Sequence, residues 1–268
     1  MRLEISSLSK PGGRPTNEDA FGFWASAGVC FCVVCDGAGG QGGGDVASKL
    51  AVSATLAWFQ AKPECSARAI QAALQAANQA VMSQQTAEDR LATMRATAVV
   101  LAIDAARRRA LWAHLGDTRL YCFRNNEIIV RTKDHSVVQS MVDAGYLKEC
   151  DLRTAHERSR LFAALGQEEN FVPTASPHRF VVVPGDIFLL CTDGFWEHID
   201  EREMVEALGG ASSGEAWLRR MERYVIDRGD DRQDNYSALA VWCSEGGEGS
   251  EAIDEGPPTD SPDIRPEF

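Results

Sequence analysis

Short strand-like apolar runs, interrupted by pairs of helices, constrain the fold of this chain more than any other feature. The runs occupy residues 21–25, 29–35, 97–103, 110–115, 120–123, 127–131, 180–183, 187–191 and 237–243, each bounded by turn-forming residues. Two helices are expected together at 46–60 and 66–85. In the second, "SARAIQAALQAANQAVMSQQ", Ile70, Leu74, Ala77 and Val81 share one stripe and Ser66 is placed to cap the N-terminus. Further helices are expected at 135–145, 148–158, 201–208 and 213–227. Hairpin signals such as "RNNE" at 124–127 join neighbouring runs and favour antiparallel pairing. Strands grouped in this way predict an α+β fold with sheets covered by helices, rather than regular strand–helix alternation. There is no internal repeat.

With 268 residues, 44% of them hydrophobic, the chain can bury one large domain or two small ones. Its longest unbroken apolar run, Val29 to Cys35, has seven residues, far short of the roughly 20 that a bilayer-spanning helix needs. The opening "MRLEISSLSKPGG" has no apolar core of a signal peptide, so a cytoplasmic protein without membrane attachment is expected. Most of the eight cysteines lie inside apolar runs, as small buried hydrophobes do. "CVVC" at 32–35 imitates a metal or redox motif, but residues three apart on a strand face opposite ways. From Gly246 onward, seven acids face one base, Arg265, which leaves −6 of the net −12 in the last 23 residues. That Pro- and Gly-rich stretch reads as a disordered acidic tail following a domain over 1–245. The equally acidic remainder lacks the basic face that a nucleic-acid partner requires.

The run 29–35 ends in Asp36 and then dissolves into "GAGGQGGGD". Glycine-rich turns between a strand and a helix usually receive phosphate on bare backbone N–H groups, yet Asp36 would repel that anion. The turn leads to Asp45 rather than Lys-Ser/Thr, which excludes a P-loop. A formal G-x-G-x-x-G occurs at Gly37, Gly39 and Gly42, but the position for a second strand and its terminal acid falls between two helices, near Lys62 and Glu64. The other way to reconcile an aspartate with a phosphate is a cation between them. One carboxylate holds a hard divalent ion poorly, so other acids should stand at strand mouths. They do: Asp193 in "IFLLCTDG", Asp117 in "LWAHLGDTR", Asp234 in "DDRQDNYSALAVW", and Glu18 with Asp19 in "RPTNEDAF". Taken singly, each could be a turn or a solvated cap.

"RPTNED", "VVCDGAGG", "GDTRLY", "KDHS", "CTDGFWE" and "DNYSALAV" occur in the order and approximate spacing of the metal-dependent protein phosphatases of the PP2C (PPM) family. The chain resembles the bacterial members from about Arg2 to Cys243. The resemblance implies a four-layer αββα sandwich, two antiparallel β-sheets flanked by helix pairs, with metals at one end. It implies two core Mn²⁺ or Mg²⁺ ions bridged by Asp36. Gly37 would offer its backbone carbonyl, Asp193 and Asp234 would bind the first ion, and Glu18 would bind the second. Asp117 with Asp193 would form a weaker third site. Asp19 and Asn235 would support the ligands, and Arg14 would bind the substrate phosphate. Two such ions make water a nucleophile near neutral pH and neutralise the phosphate dianion, while an arginine fork aligns it. The implied substrate is a phosphoserine or phosphothreonine protein, the target of a cognate bacterial serine/threonine kinase in signalling or secretion, and the implied enzyme is a monomer.

Two residues depart from the family pattern. Ala38 stands where many eukaryotic members carry a histidine as general acid, so protonation of the leaving group must come from elsewhere. Ser237 replaces the more frequent threonine of "DNxT". His135 of "KDHS" reads as orienting a loop, and His114, His156, His178 and His198 as surface or packing residues. Residues 136–166 correspond to the family's variable flap, where Arg158 and Arg160 offer charge to a phosphopeptide. From the sequence alone, a metal-free binding module and a phosphatase of small molecules stay open as alternatives.

Overall fold

The computed structural model describes residues 1–246, apart from 27, 39–41, 87–90, 170 and 177, and the short segment 253–255. In chain order its elements begin with β1 (Arg2–Lys10), β2 (Asp19–Ser26), β3 (Val29–Ala38), α1 (Gly44–Ala61) and α2 (Ala67–Gln84). Next come β4 (Arg95–Ala96), β5 (Ala98–Asp104), β6 (Arg109–Leu115), β7 (Arg119–Arg124), β8 (Glu127–Arg131) and α3 (Val137–Asp143). The chain continues through a 3₁₀ turn (Glu149–Arg153), β9 (Thr174–Ala175), β10 (Phe180–Val181), β11 (Ile187–Cys191) and α4 (Asp193–Trp196). It closes with α5 (Glu201–Leu208), α6 (Gly214–Arg228), β12 (Tyr236–Ser244) and β13 (Ile253–Glu255).

One sheet has the order β13-β1-β12-β11-β7-β8 and the other β10-β6-β5-β3-β2, with β4 and β9 attached at β3 and β6. Every pairing is antiparallel except the three-residue contact of β13 with β1. The period of two in β3 shows how the layers form. Cys30, Cys32 and Val34 enter the core between the sheets, where they meet Leu101, Leu120, Phe188, Leu190 and Leu239. Phe31, Val33 and Cys35 point the other way, into a core shared with α1 and α2. There Phe31 stacks on Phe59 with centroids 3.9 Å apart. Cys32 and Cys35 therefore lie in different cores, and all eight cysteines are free. The outer face of the other sheet packs Tyr121, Phe123 and Leu189 against Trp217 and Met221 of α6 and Met204 of α5. The result is the four-layer αββα sandwich that the family resemblance implied, with the helix-covered sheets expected from the pattern of runs. Both sheets are covered because each alternates apolar residues on its two faces.

Local chemistry accounts for the element ends. Ser66 accepts the Ala69 N–H at 3.1 Å and caps α2, and Ile70, Leu74, Ala77 and Val81 are all buried. Asp200 and Glu203 form a reciprocal capping box on α5. The structure differs from the sequence expectation in three places. β1 is a full strand although Ser6, Ser7 and Ser9 break its apolar pattern. α4 is a single turn hidden in "CTDGFWE". The helix expected at 148–158 is only the 3₁₀ turn: Asp151 Oδ2 accepts the Lys148 N–H at 2.8 Å and caps its start, and Arg153 at its end bonds the Trp196 and Ile199 carbonyls. Most of the acidic tail lies outside the described residues; within it, β13 lies along β1 with Leu3 opposite Ile253. Among the described residues no helix is long and apolar enough to cross a membrane.

Candidate metal centre

Antiparallel pairing delivers the acids to one end of the sandwich. β2 begins at Asp19 and β3 ends just past Asp36, and the two residues are directly opposite each other. β11 runs into Asp193, and its neighbour β12 starts two residues after Asp234. Asp117 sits in the turn between β6 and β7, joined to the same end through Thr97. The Thr97 hydroxyl accepts the Asp36 N–H at 3.2 Å and hydrogen-bonds the Thr118 hydroxyl, while the Thr97 N–H donates to the Asp36 carbonyl at 2.8 Å. The loop before β2 is tied to β12 by Asn235. Its Oδ1 accepts the Glu18 N–H at 2.8 Å, and its Nδ2 donates to the Pro11 and Thr16 carbonyls at 2.9 and 3.0 Å. That loop carries Arg14, whose guanidinium donates to Asp234 Oδ2 at 3.0 Å.

Gathering so many carboxylates disfavours their ionised forms. Burial pushes the Asp36 carboxyl well above its ordinary range, and the charges of Asp193, Asp19, Asp117 and Asp234 push it further. Asp193 rises to about 7, through burial first and then Glu197 and Asp234. Asp19 also rises to about 7 by burial, although hydrogen bonds from Ser237 and Thr192 oppose the shift. Burial and Asp193 raise Asp117 in the same way. Such a cluster is stable as a set of anions only with positive charge among them. Three observations fit divalent cations. Asp19 Oδ1 and Asp117 Oδ1 are buried with no hydrogen-bond partner. Glu18 Oε2 and the Gly37 carbonyl converge on one point, both 2.7 Å from where a side chain on Gly44 would begin, and glycine leaves that point open. Finally, the donors are all oxygens, which hard ions prefer. Among the described residues no three acid, histidine or cysteine side chains are grouped so as to hold a metal ion by themselves.

The sequence model of a family described as protein phosphatase 2C matches residues 13–233. The chain belongs to the protein phosphatase 2C family. It is 32% identical over 220 residues to the serine/threonine protein phosphatase PstP of Mycobacterium tuberculosis, covering 81% of this chain and 41% of that protein. The chain thus spans about two fifths of that relative's length. Among solved structures, it resembles the catalytic domain of PstP in complex with two manganese ions, with a TM-score of 0.76 and 28% identity over 91% of this chain and 99% of the other. It also resembles PppA, described as a key regulatory component of the type VI secretion system in Pseudomonas aeruginosa, with a TM-score of 0.73 and 28% identity over 91% and 98%.

In this protein phosphatase 2C chain, Glu18, Asp19, Asp36, Gly37, Asp117, Asp193 and Asp234 lie at one mouth, with Arg14 and Asn235 beside them. The centre of the glycine stretch, 39–41, lies outside the described residues. Ala38 is exposed at the end of β3. Arg158 and Arg160 are engaged within the protein: Arg158 donates to Glu197 at 2.6 Å and Arg160 to Glu157 at 3.2 Å. Sequence reasoning missed the hydroxyls. Besides Thr97, Thr192 accepts the Ser237 N–H and donates to Asp19 Oδ2, both at 2.9 Å. The signal available was a threonine beside an acid in "CTDG" and "GDTR", which is also what a strand end offers by chance.

Proposed function

We propose that the chain is a divalent-metal-dependent phosphoprotein phosphatase that hydrolyses phosphoserine and phosphothreonine by attack of water, opposing a serine/threonine kinase in bacterial signalling or secretion. The observation that carries this reading is the convergence of Asp36, Asp193, Asp19, Asp117 and Asp234 at one end of the sheets, where, on top of burial, the charges of Asp193 and Asp234 raise both Asp19 and Asp36 and that of Asp193 raises Asp117. In this reading Asp36 would serve two Mn²⁺ or Mg²⁺ ions. Asp193 and Asp234 would help to hold one, Glu18 and the Gly37 carbonyl the other, and Asp117 with Asp193 would hold a weaker third. When bound, such ions supply a water acidic enough to act as nucleophile near neutral pH, together with positive charge against the phosphate.

The remaining work belongs to the chain. Arg14, on a loop fixed by Asn235, exchanges its bond with Asp234 for the phosphate oxygens and presents the phosphorus for in-line attack. Asp19, held by Thr192, and Asp36, held through Thr97, keep fixed directions because their neighbours are packed strands. Ala38 donates no proton, so the departing serine or threonine oxygen takes its proton from water. Every ligand position expected for the family is filled, which disfavours a metal-free binding module. The support for a protein substrate is the company of named protein phosphatases, and the monomer is our expectation. The test is phosphate release from phosphothreonine, phosphoserine and phosphotyrosine peptides and from small phosphate esters, in EDTA and with added Mn²⁺. The reading expects the first two peptides to be preferred, with activity only in metal. Preference for small esters, or full activity in EDTA, would overturn it.

A further inference from the structure

The turn that carries Asp117 is gripped by a residue that the proposed chemistry does not use. Gly116 turns with φ of +95°, and both of its backbone polar groups bond to His135. The His135 N–H donates to the Gly116 carbonyl at 2.9 Å, and the Gly116 N–H donates to His135 Nδ1 at 3.2 Å. An accepting Nδ1 leaves the ring proton on Nε2, which then donates to Thr174 Oγ1 at 2.9 Å. The ring is stacked on His114 with centroids 4.6 Å apart, and Phe162 leans on it at 5.7 Å. His135 immediately precedes segment 136–166 and is tied to it: its carbonyl accepts the Phe162 N–H at 3.0 Å, and Ser136 bridges to Leu161. The Asp117 carboxyl is held by its own backbone N–H and by the turn that carries it. Its Oδ1 is buried without a hydrogen-bond partner among the described residues, and the Asp117 carbonyl accepts from Trp196 Nε1 at 2.9 Å.

We propose that His135 is a positioning residue for Asp117. By clamping the amide and carbonyl of Gly116, it fixes the turn whose carboxylate we assign to the weakest of the three ions. The inference rests on that assignment. Ligand distances must fall within about 0.2 Å of their preferred values, and a left-handed glycine turn without the clamp has no rigid reference for them. Residues that orient ligands in this indirect way typically change metal affinity by about 10–100-fold when they are lost.

Two substitutions separate positioning from packing. His135→Asn presents a carbonyl oxygen near the place of Nδ1 and keeps the Gly116 bond. His135→Gln reaches toward the place of Nε2, keeping Thr174 and abandoning Gly116. Both lose the ring and its stacking. Mn²⁺ binding would be followed by calorimetry and by the EPR signal of free Mn²⁺ for wild type, both variants and Asp117→Asn, with thermal unfolding of each metal-free protein. The proposal expects the two His135 variants to lose similar Tm. The weakest Mn²⁺ should bind about 10–100-fold less tightly in His135→Gln and close to normally in His135→Asn. Equal affinities in the two variants, with Asp117→Asn weakened, would reduce His135 to a packing residue. An unchanged weak site in Asp117→Asn would instead remove Asp117 as a ligand, and the role of His135 with it.

Discussion

Replacing Gly44 by alanine isolates metal binding from folding. Gly44 opens α1, and its φ is not among the positive values, so an alanine backbone is allowed there. The new Cβ would stand 2.7 Å from Glu18 Oε2, 2.7 Å from the Gly37 oxygen and 2.8 Å from the Gly37 carbon. Carbon–oxygen contacts open at about 3.3 Å, so the two oxygens must retreat by roughly 0.6 Å. That exceeds the tolerance of about 0.2 Å for ligand distances. The Glu18 side chain can swing, whereas the Gly37 backbone is held by its N–H bond to the Glu18 carbonyl at 3.0 Å and its pairing with Ala96. Overpacking of this kind costs about 1–3 kcal/mol. Alanine in place of a helical glycine returns up to about 1 kcal/mol. The net destabilisation is then about 0–3 kcal/mol, a fall in Tm of up to about 12 °C for a domain of this size. Affinity for Mn²⁺ should fall at least tenfold, about 1.4 kcal/mol. Calorimetry on the metal-free protein, with circular dichroism to establish the fold, reads both effects. A folded Gly44→Ala protein with wild-type Mn²⁺ affinity would refute the assignment of Glu18 and the Gly37 carbonyl to one ion.

Other consequences can be checked with the same preparations. The carboxyl of Asp193 sits at about 7 in the metal-free protein against an ordinary 3.8. Between those values the folded state holds a proton that the unfolded state has lost, so stability falls as pH rises from about 4 to 7. Asn mimics the protonated acid, so in EDTA Asp193→Asn should gain Tm relative to wild type across that window; a constant difference would count against the shift. Ending the chain after Gly246 removes the short β13 contact at the edge of β1 and should lower Tm by no more than about 2–4 °C, with kcat unchanged. A larger loss would mean that residues beyond 246 are part of the domain's packing.

Much of this architecture was legible because burial leaves a period. The run 29–35 is apolar at every position because β3 is covered on both faces, and the stripe of Ile70, Leu74, Ala77 and Val81 marks the side of α2 that meets the sheet. β1 was not legible: Leu3 and Ile5 enter the core, but its second half presents serines, and Ser9 bonds Ser237 on the neighbouring strand at 2.7 Å. α4 is one turn long, too short for any period to register. The acids of the site were visible because a carboxylate at the end of an apolar run is conspicuous, and six motifs in order named the family. The groups that aim them were not. Thr97 and Thr192 look like ordinary strand residues, and the reciprocal bonds of His135 to Gly116 join positions 19 apart in sequence. Only the pairing of strands brings those partners together.

On the proposed reading, Asp36 anchors a divalent-metal centre used for phosphate ester hydrolysis. Equilibrium Mn²⁺ binding to chelated wild-type and Asp36→Asn proteins, paired with phosphate release from a phosphothreonine peptide, tests it most directly. Wild type should take up at least two ions and regain activity as they bind. Asp36→Asn should stay folded, lose the tight binding and fall by orders of magnitude in kcat. Wild-type stoichiometry and near-normal turnover in Asp36→Asn would remove Asp36 from the centre.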